Sequence, residues 1–346
     1  MKQKKLIGIV FICSLFFIAT GKVDATSGGH GFSVTPINKN KNSIRAGYFE
    51  IETKPDKQEV LSVKITNGSD NDMKIKVELN NATTNDNGIT AYDATTKKDT
   101  TLKTGFSDIA TIKEDTVLVK KDSSTVVDIK VSTPKEQFDG VILGGLRFSD
   151  VETEKKSTKE TSAVSNNISY VIGVVLQETP KPIIPKMALN KVGADQRNYR
   201  NYISANLQNT EPVIIKELSA HAKVTKKGDT MVLYEASKNK MRMAPNSNFN
   251  FGINLENQAL IPGKYLMDIS GESDGIPYSF TKEFEIQKKE ANDLNENSVF
   301  IKKENNTWLY VFIILGLIIV IGLIIYLIYR KSKQKRIEEG ENVNEE

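Results

Sequence analysis

The chain has 346 residues, a formal net charge of +4, two histidines and a single cysteine. That length accommodates two domains of ordinary size, while the charge between the two terminal apolar runs is so balanced that it offers no electrostatic footprint of the kind nucleic acid selects. One cysteine excludes an intrachain disulfide framework and a cysteine metal cluster, so no cofactor or metal is expected and an apolar core must hold the fold.

At the N-terminus, Lys2, Lys4 and Lys5 precede the apolar run Leu6 to Ala19, and Val23-Asp24-Ala25 supplies a small-x-small cleavage site. Residues 1–25 are therefore expected to be a signal peptide, with the exported chain starting at Thr26. Cys13 lies inside the apolar run and leaves with it.

The next region reads as strands. Phe32 to Ile37 and Tyr48 to Thr53 come first. Leu61, Val63 and Ile65 alternate with Ser62, Lys64 and Thr66; after Asn67-Gly68, Met73, Ile75, Val77 and Leu79 alternate with Lys74, Lys76, Glu78 and Asn80. Two period-two runs around such a turn signal predict antiparallel pairing. Asn80 to Tyr92 is a loop carrying Asn85-Asp86-Asn87-Gly88, which reads as a turn because the distal Glu of an EF-hand calcium loop is missing. Strands follow at Val117 to Val119, Val126 to Val131 and Phe138 to Phe148. Gly140, Gly144 and Gly145 fall in the last of these, where glycines predict a bulge or the close approach of backbone or ligand. Ser149 to Asn167 is polar and charged, an exposed loop across which the Phe138 strand is expected to pair with Ile168 to Leu176. Pro180, Pro182 and Pro185 then form a stiff linker and the predicted hinge. The first domain is placed at 32–178.

Residues 181–288 repeat this grammar. Ile203, Ala205 and Leu207 alternate, as do Leu218, Ala220, Ala222 and Val224, then Phe249, Phe251, Ile253 and Leu255, then Tyr265, Met267 and Ile269; Phe280, Phe284 and Ile286 close the series. About seven short strands with frequent turns predict an immunoglobulin-like sandwich. The expected fold is all-β: two immunoglobulin-like β-sandwich domains plus one C-terminal transmembrane helix. Residues 289–307 read as a polar stalk.

Residues 308–329, from Trp308 to Tyr329, carry no charge and would span about 33 Å as a helix, the thickness of a bilayer core. Trp308, Tyr310, Tyr326 and Tyr329 mark its two ends. Arg330, Lys331, Lys333, Lys335 and Arg336 follow, which predicts a cytoplasmic tail over 330–346 and an external N-terminal region. No Leu-Pro-x-Thr-Gly motif precedes the span, so the helix is the expected anchor.

Catalytic patterns are scarce. His30 sits in a glycine-rich entry segment and His221 on the outward face of an alternating strand, so both read as solvent-exposed. No Gly-x-Ser-x-Gly, Walker or His-Glu-x-x-His pattern occurs. A binding protein is expected rather than an enzyme, although the paired carboxylates of a hydrolase could come from distant positions. Ligands of a binding surface are met by aromatic faces flanked by amides and charges. In the first domain the candidates are Tyr48, Asn85, Asp86, Tyr92, Asp139 and Arg147, with Phe106 beside them; Tyr48, Phe106 and Phe138 read more readily as core residues. Tyr199, Arg200, Tyr202 and Tyr234 are weaker candidates for protein contact.

The order Phe32-Ser33-Val34-Thr35-Pro36-Ile37, Tyr48-Phe49-Glu50-Ile51, Asn85-Asp86-Asn87-Gly88 and Phe138-Asp139-Gly140-Val141-Ile142-Leu143-Gly144-Gly145 resembles the WxL-interacting proteins of Gram-positive bacteria. So do Tyr170-Val171-Ile172-Gly173-Val174, Pro262-Gly263-Lys264-Tyr265, the single span and the basic tail. The resemblance implies an N-terminal peptidoglycan-binding domain and a C-terminal host-binding domain, divided near Thr161. It also implies a membrane-anchored scaffold or adhesion protein that meets peptidoglycan, WxL-type surface proteins and host extracellular proteins, and no nucleic acid. The alternatives are a chaperone that lends an edge strand to secreted partners and a cell-wall hydrolase.

Overall fold

The computed structural model describes residues 31–37, 43–45, 47–93, 97–151, 168–301 and 307–341. The expected signal peptide (1–25), most of the polar loop after Ser149 (152–167) and the end of the tail (342–346) lie outside them.

Period-two patterning places alternate side chains on opposite faces of a strand, so each half of the chain can press two apolar sheet faces together. In the N-terminal half one sheet runs in the order β1 (Phe32–Ile37), β4 (Gln58–Asn67), β10 (Ser123–Ser132) and β8 (Ala110–Ile112). The other runs β2 (Ser43–Arg45), β3 (Tyr48–Glu52), β12 (Ser169–Gln177), β11 (Val141–Asp150), β5 (Met73–Asn81) and β9 (Thr116–Val119). Leu61, Val63, Ile65 and Ile129 of the first sheet share one buried cluster with Ile75, Phe148, Val174 and Leu176 of the second. Each such side chain contributes roughly 1.5–3 kcal/mol by leaving water.

The two alternating runs around Asn67-Gly68 do not pair with each other, contrary to the sequence-based expectation. β4 pairs with β1 and β10, whereas β5 pairs with β11 and β9. The turn arches from one sheet to the other. Asn67 is buried there, its Nδ2 donating to the carbonyls of Asn71, Val119 and Lys120 while its Oδ1 accepts from Ser69 N and Oγ. Alternation fixes which face is apolar, and two apolar faces meet equally well across a core. β11 and β12 do pair antiparallel, with Gly145 opposite Gly173, and β12 continues in parallel with β3.

The C-terminal half has seven strands in two sheets. One contains β13 (Met187–Arg197), β14 (Arg200–Asn209) and β17 (Ser247–Asn254); the other contains β16 (Val232–Met243), β15 (Ile215–Lys226), β18 (Gly263–Ser273) and β19 (Ile276–Ile286). Ile203, Leu207, Phe249 and Phe251 pack in one cluster with Leu218, Val224, Met267 and Ile269. β13 and β16 bear none of the alternations read from the sequence, and both are sheet edges. The predicted stalk begins as a packed helix, α2 (Lys288–Asn297), with Ala291 buried and Asn295 bonded to both the N–H and the carbonyl of Leu260.

A last helix, Thr307–Glu341, contains the predicted span. Its Val311–Lys331 portion is long and apolar enough to cross a membrane, and its aliphatic side chains are exposed throughout.

Candidate functional site

The loop that separates β5 from β8 builds the contact between the two sheet pairs. It contains a hairpin of β6 (Thr83–Thr84) and β7 (Thr90–Ala91), closed by Asn85-Asp86-Asn87-Gly88, and a short helix, α1 (Phe106–Ile109). Asn85 Oδ1 accepts from the N–H groups of Asn87 (3.0 Å) and Ile89 (3.2 Å), a side chain standing in for backbone within its own turn. Asp86 Oδ1 accepts from Asn250 N at 2.9 Å and its Oδ2 lies 3.5 Å from Arg197. Thr84 Oγ1 bonds Ser247 Oγ at 2.7 Å, both residues buried, and accepts from Ala244 N. Gly88 adopts φ +65°, and a Cβ there would meet Met241 at 2.6 Å; its carbonyl accepts from Arg242 N. Further along the contact, Gly140 (φ +83°) lies against Pro212, whose carbonyl accepts from Val141 N at 2.8 Å. Two of the glycines singled out in the sequence are therefore approached by the other half of the chain.

Asp99 joins the same contact, accepting from Gln208 Nε2 at 2.8 Å, from Asn248 Nδ2, and from Thr101. Burial pushes its carboxyl up. The hydrogen bonds from Thr101, Asn248 and Gln208 outweigh this and hold it below the ordinary carboxylate range.

Beside this contact a groove of about 640 Å³ opens along the outer face of the six-stranded sheet. Its floor follows from the register: Gly173 and Gly145 are direct partners on adjacent strands, with Asn80 next to Gly145. A Cβ added at Gly145 would meet the ring of Tyr92 at 2.5 Å, and one at Gly173 would lie 3.4 Å from the Tyr92 hydroxyl and 3.5 Å from Tyr48 Cβ. Tyr92 thus lies flat across two glycines, its carbonyl held by Asn80 Nδ2 at 2.8 Å. Burial pushes its phenol up, partly offset by the Arg242 charge. Glu50, Leu143 and Val175 line the groove from the N-terminal half, and Val213, Lys216 and Arg242 from the C-terminal half. A second groove, of about 530 Å³, is lined by Leu102, Phe138, Asp139, Glu211 and Pro212.

The predicted residues are distributed unevenly over these surfaces. Tyr48 and Tyr92 come together in the first groove. Tyr48, a candidate for which a core position is the competing reading, is half-buried on the outer face because Phe49 and Ile51 take the inward positions of β3. Asp139 lines the second groove, held below the usual range by hydrogen bonds from Lys181 (2.6 Å) and Thr179 (2.9 Å). Asn85 and Asp86 are engaged at the contact between the halves, and Arg147 pairs with Glu78 across β11 and β5. Phe106 is fully buried over Gly144 and belongs to the core. In the C-terminal half, Arg200 stacks on Phe300 and Arg197 on Tyr202. Sequence reasoning missed Gly173, Lys216 and Arg242. A glycine inside the apolar Ile168 to Leu176 run was the available signal for the first, and the two cations carry none.

Aromatic faces, an apolar floor and charges of both signs suit non-covalent recognition of an extended ligand. Among the described residues, no cluster of three or more His, Cys, Asp or Glu could hold a metal. Fold and grooves together define an all-β protein of two joined sheet pairs with an apolar C-terminal helix. The peptidoglycan-binding domain of the WxL Interacting Protein family matches residues 32–150, and the host binding domain of the same family matches 159–296. The chain belongs to the WxL-interacting protein family, and its domain families make it a cell-surface binding protein. β12 falls in the host-binding match although it is hydrogen-bonded into the N-terminal sheet.

No curated protein matches the chain. Among solved structures, a chaperone–tip adhesin complex of CFA/I fimbriae is 13% identical with a TM-score of 0.30, covering 74% of this chain and 98% of that one. The E. coli chaperone DraB is 15% identical with a TM-score of 0.28, covering 74% and 98%.

Proposed function

We propose that the protein is a membrane-anchored surface scaffold whose N-terminal half holds peptidoglycan in the Tyr48–Tyr92 groove. The carrying observation is that groove: a glycine floor with a tyrosine laid over it, a second tyrosine beside it, and Glu50, Lys216 and Arg242 at its walls. Sugar rings stack on the aromatic faces, and the charged walls meet the carboxylates and amines of stem peptides. Asp139 and Arg147 extend the surface at its margins, while Asn85 and Asp86 act indirectly by fixing the wall that Arg242 supplies.

In this reading the chain divides at the proline linker into two immunoglobulin-like domains, 32–178 and 181–288. The signal peptide exports both, and the C-terminal helix anchors them with Arg330 to Arg336 on the cytoplasmic side. The C-terminal domain then meets WxL-type secreted proteins and host extracellular proteins. Sedimentation with purified peptidoglycan tests the first part: the folded, unmutated protein goes to the pellet across a range of salt concentrations. Retention in the supernatant would remove the wall-binding assignment. Cross-linking of cells followed by capture of the tagged protein tests the second, with WxL-bearing proteins expected among those recovered and their absence counting against that partnership.

A further inference from the structure

The two ends of the C-terminal sheet pair differ in character. One end carries the connections 210–214 and 244–246, which meet the N-terminal half through Pro212 and Ala244. The register of β13 with β14, β15 with β16 and β18 with β19 puts the 198–199 turn, the 227–231 turn, the 255–262 loop and the residues after α2 at the opposite end. Each of these four segments presents apolar surface to solvent: Tyr199 is 63% exposed, Met231 61%, Ile261 56% and Val299 71%, and Phe300 is exposed beside Val299. Scattered apolar residues on a surface are ordinary, but a set gathered from four separate connections at one end marks an interaction surface.

The surface is organised. Asn198 and Tyr199 both adopt positive φ, which turns the Tyr199 ring outward, and the Tyr199 carbonyl accepts from Val299 N (3.3 Å) and Ser298 Oγ (3.0 Å). Phe300 is covered on one face by the Arg200 guanidinium, 3.6 Å from the ring centroid. An aromatic paired with an arginine is the side-chain chemistry of a membrane interface, with the ring at headgroup depth and the guanidinium toward phosphate.

What covers this end is indicated by where the chain goes next. Only residues 302–306 separate Ile301 from the apolar helix that begins at Thr307. Fully extended, those six steps reach about 20 Å, and helical or bent they reach less. We propose that this end of the C-terminal sheet pair rests on the surface of the bilayer that the helix crosses, with Tyr199, Met231, Ile261, Val299 and Phe300 in the headgroup region and Arg200 facing lipid phosphate. The contact orients the groove between the two halves away from the membrane, because that groove lies at the other end. The proposal rests on the helix being a membrane span.

The test uses the exported chain from Thr26, which holds no cysteine, reconstituted into phosphatidylcholine–phosphatidylglycerol vesicles containing lipid with a nitroxide high on its acyl chain. A polarity-sensitive fluorophore is attached in turn to Ile261→Cys, to Ile276→Cys at the opposite end, and to Ile321→Cys within the helix. The 261 label loses most of its emission to the nitroxide while the 276 label keeps its own. If 321 is quenched and 261 is not, the span stands and the membrane contact falls. If 321 is itself unquenched, the span reading fails first and the proposal with it. A blue-shifted but unquenched 261 label places this end against protein, a second copy included, and overturns the proposal.

Discussion

Gly144 and Gly145 are neighbours in sequence and face opposite sides of one strand. A methyl at Gly144 would collide with the fully buried Phe106 ring, so Gly144→Ala is expected to destabilise the N-terminal half by about 1–3 kcal/mol, read as a lower Tm. At Gly173 the same methyl makes only ordinary contact, at 3.4 Å from the Tyr92 hydroxyl. Gly173→Ala should leave the Tm nearly unchanged and alter peptidoglycan sedimentation by roughening the groove floor; a fall in Tm equal to that of Gly144→Ala would contradict this geometry. Gly144 and Gly145 within β11 and Gly140 just before it announced a close approach but not the approaching group. Phe106, Tyr92 and Pro212 come from separate parts of the chain, and period-two alternation says only which glycine faces which side. Asp99 adds a pH dependence. Its folded-state pKa lies below the unfolded value of about 4, so its stabilising contribution is complete at neutral pH and is lost as pH falls through the folded pKa. Scanning calorimetry of Asp99→Ala should show a lower Tm than the unmutated protein at pH 7, with the difference closing in acid.

The β6–β7 hairpin is the element on which the two halves depend. Thr84→Ala strips the buried Ser247 hydroxyl and Ala244 N–H of a partner, a loss of about 1–3 kcal/mol. Because that bond crosses between the halves, the unmutated protein is expected to unfold in one transition. Thr84→Ala combined with Asp99→Ala should separate it into two; a single transition in the double variant would mean that other contacts carry the coupling. Strands with one buried face were legible, as Leu61 to Ile65 and Phe249 to Leu255 show. Edge strands such as β16 were not, since most of its side chains are exposed and nothing imposes alternation. Partner choice was also hidden. The Asn67-Gly68 turn reads as a hairpin, and only the buried Asn67 side chain reveals an arch between sheets. α2 escaped because amides rather than an apolar stripe fix it, Asn295 binding Leu260 and Gln196 binding the Leu294 carbonyl.

At the scale of the whole molecule, two joined sheet pairs with a groove at their contact are followed by a helix long and apolar enough to cross a membrane, and the proposed function reads them as a post that holds wall close to the membrane. Protease added to wall-stripped intact cells should digest residues 26–307 and leave the helix and tail, and protection of the sheets would reverse the orientation. Family membership was legible from the order of short motifs along the chain, two of whose glycines, Gly88 and Gly140, lie where the halves touch. The candidate groove was only half legible, since Lys216 and Arg242 reach it from strands far along the chain. The most direct measurement is the affinity of the soluble residues 26–301 for defined muropeptides, compared between the unmutated protein and Tyr48→Ala. Tyr48 is half-buried on an outer sheet face, so its loss should leave the Tm nearly unchanged while weakening binding about tenfold, a stacking contribution near 1.4 kcal/mol. Equal affinity of the two proteins at equal stability would contradict the placement of the peptidoglycan site in this groove.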